Sequence, residues 1–201
     1  MTCRRKRWLV AILVGAAGVL SGAAPVVQEP PPMNNIHDFT LPDIDGRPVS
    51  LGTFKGRVLL LVNVASRCGF TPQYAGLEKL YREYQGRGLT VLGFPANNFL
   101  GQEPGTAAEI KTFCSTKYNV TFPLFAKLSV KGADQHPLYR FLTEKATDPE
   151  FAGGITWNFN KFLSGRDGKI LARFGSRTAP DDKALVAAVE KALQAAAPSK
   201  D

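Results

Sequence analysis

Apolar positions along this chain fall into distinct patterns, and each pattern predicts an element. Val58–Val64 (VLLLVNV) is an unbroken, branched run bounded by Gly56 and Ser66. Such a run fits a central strand covered on both faces. Beyond it Tyr74, Leu77, Leu80, Tyr81 and Tyr84 recur at helical spacing. Thr71 reads as the cap of that helix, Pro72 as its first residue, and Gly86 and Gly88 as its stop. Residues 89–94 predict a second buried strand. Strand, helix and strand in this order imply a parallel pair joined by a right-handed crossover.

The rest of the chain is punctuated as clearly. Residues 41–51 predict a small hairpin with Asp45-Gly46 as its turn. A second helix opens at Thr106, with Glu109 at capping-box spacing, and runs to about Tyr118. His136-Pro137 begins a third helix that ends near Ala146. Residues 156–163 and 169–174 predict an antiparallel hairpin around 164–168, and 184–196 an alanine-rich terminal helix. The sum is one α/β domain, a mixed central sheet flanked by helices on both faces.

Length supports one such domain and hardly two: 201 residues, 44% hydrophobic and 21% charged. The formal charge of +8 would matter for nucleic-acid binding, but residues 4–7 supply four of the 25 basic side chains. The remaining 21 stand against 17 acidic ones, with no Lys/Arg stripe interleaved with aromatics, so no nucleic-acid partner is expected. Those four residues head a secretory layout. An apolar stretch, 8–20, and the small residues Ser21-Gly22-Ala23-Ala24 follow them. Residues 1–24 are thus expected to be a signal peptide, or an uncleaved membrane anchor in the alternative. Residues 25–35, with Pro30-Pro31-Pro32, read as a stiff linker and 36–197 as the domain. The expected location is exported and periplasmic, with membrane contact only if the leader persists.

Of three cysteines, Cys3 belongs to that leader, which leaves Cys68 and Cys114. An exported pair reads by default as a structural disulfide. Cys68, however, directly follows the first buried strand, on the loop into a helix. Unpaired backbone N–H groups and the helix dipole there favour a thiolate, and such cysteines reach pKa values of roughly 3.5–7.5. A dithiol motif would read C-x-x-C, whereas Cys68-Gly69-Phe70-Thr71 ends in a hydroxyl. A lone thiolate can still attack an O–O bond and become a sulfenic acid, which points to peroxide chemistry. His37 and His136 sit in no cluster with metal-ligand or triad spacing and read as structural, so no metal and no cofactor is expected.

Three ordered motifs carry a resemblance to a known family. Residues 63–78, from Asn63-Val-Ala-Ser-Arg-Cys68-Gly-Phe-Thr-Pro onward, resemble the peroxidatic signature of glutathione peroxidases. Residues 92–105, with Phe94-Pro95 and Gln102-Glu103-Pro104-Gly105, resemble their second signature, and Trp157-Asn158-Phe159 their third. The likeness spans about residues 35–188 and implies a thioredoxin-like fold. It assigns Cys68 as peroxidatic cysteine and Gln102, Trp157 and Asn158 as the rest of a catalytic tetrad. All three can donate hydrogen bonds to a sulfur anion or a leaving hydroxide.

The same resemblance makes Cys114 the resolving cysteine of a two-cysteine, thioredoxin-dependent enzyme. Ala96 stands where many relatives carry a further cysteine. A Cys68–Cys114 disulfide would require helix 107–118 to unwind in part. The implied partners are a hydroperoxide and a reductant, either a thioredoxin-like protein or glutathione. Two rival readings accompany this one: a thioredoxin-fold thiol–disulfide oxidoreductase, and a non-catalytic exported domain with a structural disulfide.

Overall fold

The computed structural model describes residues 33–196. The expected leader, Cys3 and the linker as far as residue 32 lie outside the described residues. The domain opens with a hairpin, β1 (Thr40–Pro42) and β2 (Pro48–Ser50), whose turn uses Gly46 at φ +83°. There follow β3 (Val58–Val64), α1 (Gln73–Tyr84), β4 (Leu89–Pro95), α2 (Ala107–Tyr118) and α3 (Pro137–Thr143). The chain then forms β5 (Lys161–Ser164), β6 (Ile170–Phe174) and α4 (Lys183–Gln194).

The main sheet has the order β4-β3-β5-β6, with β3 parallel to β4 and antiparallel to β5. Every residue of β3 and β4 is buried, as their continuous apolar runs require. Alternation along β3 divides the core in two. Val58, Leu60, Val62 and Val64 face a layer built from α1, α2 and α4. Leu59 and Leu61 face α3 and the N-terminal hairpin through Leu138, Tyr139 and Leu41. Each fully buried Leu or Val here contributes roughly 1.5–3 kcal/mol of hydrophobic stabilisation. The sheet is thus mixed and covered on both faces, a thioredoxin-like α/β architecture.

Two boundaries differ most from the sequence pattern. The last hairpin begins at Lys161 and not at 156. Phe159 takes a left-handed φ of +62°, which an extended strand cannot accommodate. Helix α3 stops at Thr143, short of Ala146. The Thr147 hydroxyl donates to Phe141 O at 2.6 Å, capturing a carbonyl that another turn of helix would have used.

Candidate active site

Cys68 lies on the turn between β3 and α1, 7% exposed, with a free thiol. Thr71 holds that turn closed. Its hydroxyl donates to Ala65 O (2.8 Å) and accepts the Cys68 N–H (2.9 Å), while its own N–H donates to Cys68 O (3.0 Å). Thr71 is therefore no helix cap. The N-cap position falls to Pro72, whose side chain cannot accept a bond. The Cys68 N–H is spent on Thr71, and among the described residues one backbone amide bonds Sγ, the Phe70 N–H at 3.4 Å.

A second wall comes from the segment after β4. Arg67 N–H donates to Gln102 O at 3.0 Å, tying this segment to the residue just before Cys68. The chain reaches Gln102 through a tight turn, with Leu100 and Gly101 at φ +53° and +63°. Asn97 Oδ1 accepts the Glu103 N–H at 2.8 Å and fixes the far side. A leucine in the left-handed region, and an exposed one, marks a turn held by its neighbours and not by its own preference.

The third wall is the segment before β5. Asn158 is fully buried, and its Nδ2 donates to Gln102 Oε1 at 3.0 Å. This leaves Asn158 Oδ1 buried without a partner. Turning both amides by 180° keeps the contact, now as Gln102 N–H to Asn158 O. The orphaned position then carries an N–H, the group that a sulfur anion or peroxide oxygen takes. The Trp157 ring is half-buried, sits 5.3 Å from that of Phe99, and packs on the same apolar cluster as Cys68. Gln102 and Asn158 thus touch, and Cys68 and Trp157 share a cluster. Trp157 and Asn158 stand in a loop, not in the expected strand.

Asn63 makes that loop possible. It is the one polar residue of β3 and is wholly buried. Its Nδ2 donates to Trp157 O (3.1 Å) and its Oδ1 accepts the Asn160 N–H (3.0 Å). Its backbone carbonyl takes the Phe159 N–H at 2.6 Å. These bonds pin the strained Phe159 and aim its neighbour Asn158. The sequence carried a signal for Asn63, an amide inside VLLLVNV, which the apolar pattern absorbed as strand.

Cys114 projects from α2 into the apolar cluster that contains Cys68, also as a free thiol. Burial pushes its pKa up to about 11; the facing Tyr74 hydroxyl opposes this and the charge of Glu103 adds to it. His136 is the N-cap of α3, its Nδ1 accepting the Leu138 N–H. His37 is buried beside Gly168 in the turn between β5 and β6. Both histidines belong to the fold's framework.

Comparison with known proteins agrees with this geometry. The family model described as glutathione peroxidase matches residues 36–143. The "Hydroperoxy fatty acid reductase gpx1" of Synechocystis sp. is 53% identical over 167 residues, 80% of this chain and 96% of that protein. The "Thioredoxin/glutathione peroxidase BtuE" of Escherichia coli is 45% identical, covering 75% of this chain and 93% of its own. Among solved structures, apo Trgpx superposes with a TM-score of 0.65 at 36% identity, covering 82% and 99% of the two chains. A buried thiol on a strand-to-helix turn therefore sits in a chain that belongs to the glutathione peroxidase family and is a peroxidase.

Proposed function

We propose that Cys68 is the peroxidatic cysteine, and that a disulfide to Cys114, reduced by a thioredoxin-like dithiol protein, completes the cycle. The observation that carries this reading is the pair of buried, free thiols in one apolar cluster, one on a loop and one on α2. In the first step the Cys68 thiolate attacks one oxygen of the hydroperoxide. The O–O bond breaks, sulfur becomes a sulfenic acid, and the other oxygen leaves as alcohol or water after taking a proton. Gln102, Trp157 and Asn158 supply hydrogen bonds to the sulfur and to the leaving oxygen. In the second step Cys114 displaces the sulfenic oxygen as water and forms the disulfide. Exchange with a dithiol then restores both thiols.

Helix α2 must release Cys114 for the second step. Its C-terminal end is well anchored beyond Asn119: Glu78 accepts from the Thr121 N–H (2.8 Å) and hydroxyl (2.7 Å). Release by unwinding within α2 leaves that anchor in place. The names of relatives favour a protein dithiol and a lipid-derived or small hydroperoxide: one is a "Hydroperoxy fatty acid reductase", another a "Thioredoxin/glutathione peroxidase". On the layout of residues 1–24 the enzyme works outside the cytoplasm, with an exported thioredoxin-like donor.

The test is turnover with a thioredoxin system and hydrogen peroxide. Cys68→Ser is expected to be inactive. Cys114→Ser is expected to lose thioredoxin-dependent turnover while still consuming one equivalent of peroxide. Turnover of Cys114→Ser at the wild-type rate would refute the resolving role.

A further inference from the structure

Leucine is an unfavourable residue for position 100 on two counts. Gln102 N–H donates to Phe99 O at 3.1 Å, which makes residues 99–102 a tight turn with Leu100 and Gly101 at its centre. Both central residues take positive φ, +53° and +63°, a geometry that Gly, Asn and Asp adopt far more readily than leucine. The side chain gains no burial from the fold in return. Among the described residues Leu100 is the most exposed large hydrophobic, at 83% against 45% for Leu171 and 40% for Met33. An asparagine there would suit the turn and the solvent alike.

The turn is nevertheless firmly held. Asn97 Oδ1 accepts the Glu103 N–H at its base (2.8 Å). Asn98 bonds a neighbouring loop three times: Nδ2 donates to Ser129 Oγ (2.8 Å) and Lys131 O (3.3 Å), and Oδ1 accepts the Val130 N–H (2.8 Å). Phe99 is buried, with the Trp157 ring 5.3 Å away and the Lys131 ammonium 4.5 Å over its own ring. Leu100 is therefore presented from a fixed place, one residue from that ring and two from Gln102. Consecutive Cα atoms are about 3.8 Å apart, so the Cα of Leu100 stands within about 8 Å of that of Gln102. Gln102 in turn meets Asn158 through its side chain and Arg67, the neighbour of Cys68, through its carbonyl.

The reaction dictates what must lie beside Gln102. An organic hydroperoxide differs from hydrogen peroxide by the carbon on one of its two oxygens. The Cys68 thiolate attacks the unsubstituted oxygen, the S–O bond forms and the O–O bond breaks. The bonding pair passes to the substituted oxygen, which takes a proton from solvent and leaves as the alcohol; sulfur is oxidised and the peroxide bond reduced. A donor that holds the leaving oxygen therefore has the substrate's carbon chain next to it. We propose that Leu100 is a specificity-determining residue, which lies against the carbon chain of an organic hydroperoxide and favours such substrates over hydrogen peroxide. The inference rests on the reading of Cys68 and Gln102 as the peroxide site. The chain takes the exposed leucine surface out of water, and the preformed turn holds that surface in place without further ordering. Hydrogen peroxide has no carbon with which to cover it.

The experiment is stopped-flow oxidation of the reduced protein by hydrogen peroxide and by linoleic acid hydroperoxide. The quantity read is the ratio of the second-order rate constants, organic over inorganic. Leu100→Asn suits the turn and removes the apolar contact, whereas Leu100→Met keeps an apolar side chain. The ratio is expected to fall at least about fivefold in Leu100→Asn and to stay within about twofold of wild type in Leu100→Met. Because each ratio compares two peroxides on one protein, a displaced Gln102 slows both reactions and leaves it unchanged. An unchanged ratio in Leu100→Asn overturns the proposal, even where both rates fall. Slower recycling of that variant by thioredoxin, with the ratio unchanged, overturns it in favour of a contact with the reductant. A Leu100→Met ratio that falls as far as that of Leu100→Asn also overturns it, since apolar surface is then not what matters. If mass spectrometry of the quenched wild type finds Cys68 oxidised by neither peroxide, the peroxide-site reading itself falls, and this inference with it.

Discussion

The side-chain amides of Asn158 and Gln102 meet at 3.0 Å across 56 positions of sequence. This contact closes the site, because the two residues arrive on loops from opposite sides of β3. Gln102 follows β4, and its carbonyl is tied to Arg67 N–H. Asn158 precedes β5 and is tied through its neighbours to Asn63. Neither amide has a second described side chain to fix it, so each orients the other.

That mutual dependence makes the first prediction. Asn158→Ala is expected to lower the second-order rate of Cys68 oxidation by about 10²-fold, the usual cost of removing one donor at a developing charge. Gln102→Ala is expected to cost about as much. The double variant is expected to lose little more than either single one, because each change already releases the other amide. Stopped-flow fluorescence with hydrogen peroxide measures all three. Fully multiplicative losses would show that the two amides act independently.

Asn63 carries the loop without touching the chemistry. Asn63→Leu keeps the branching but leaves the Asn160 N–H without its side-chain partner and Trp157 O with that of Asn160 alone. The expected loss of stability is about 1–3 kcal/mol, read from urea unfolding of the reduced protein. Peroxide reactivity is expected to fall with it, because the lost side-chain bonds tie down the residues on either side of Phe159, which stands at φ +62°. A variant that loses stability yet reacts with peroxide as fast as wild type would show that the loop keeps its shape unaided.

Much of the fold was legible in the sequence, and the departures share one cause. Val58–Val64 coincides with β3, and Thr106 with Glu109 forms the expected capping box of α2. These features depend on local patterning alone. Thr71 and Asn63 were read as a cap and as a strand residue, and both turned out to bond groups that only the folded chain brings near: Ala65 O for one, the 157–160 loop for the other. Leu100 was legible only as part of a motif, since nothing in a sequence shows that a leucine stands exposed on a left-handed turn. Side chains that serve the local element are predictable from spacing. Those that serve the site bond across the fold and are not.

Thr71 offers a clean separation of these two roles. Thr71→Ser retains a hydroxyl for Ala65 O and for the Cys68 N–H, whereas Thr71→Val retains the shape and loses both bonds. The serine variant is expected to react with peroxide within about threefold of wild type, since the loss is one methyl, near 1 kcal/mol. The valine variant is expected to lose about 1–3 kcal/mol of stability, because the Cys68 N–H is left buried and unpaired. Its Cys68 is also expected to react more slowly, as the turn no longer holds Sγ against the Phe70 N–H. Equal behaviour of the two variants would mean that the turn is set by packing alone.

Lys161 makes the last prediction, and it concerns pH. It opens β5 at 0% exposure, and its Nζ donates to Gln73 Oε1 (2.6 Å) and Thr178 O (2.6 Å), both neutral. Burial lowers its pKa from 10.5 to about 8. Below about pH 8 both folded and unfolded chains hold the proton, and the folded state bears the whole cost of the buried charge. Between about 8 and 10.5 the unfolded chain keeps the proton that the folded chain has released, so stability rises with pH across that window. The full span corresponds to roughly 3 kcal/mol. Other groups titrate there too, and burial of the Cys114 thiol works in the opposite direction, since its folded pKa is raised. The quantity to measure is therefore the difference in unfolding free energy between wild type and Lys161→Met, by urea titration at pH 7.5, 8.5 and 9.5. Because both proteins keep Cys114, its contribution cancels, and the difference is expected to move in favour of the wild type by about 1–2 kcal/mol. A difference that stays flat would mean that the Gln73 and Thr178 acceptors stabilise the ammonium as well as water does.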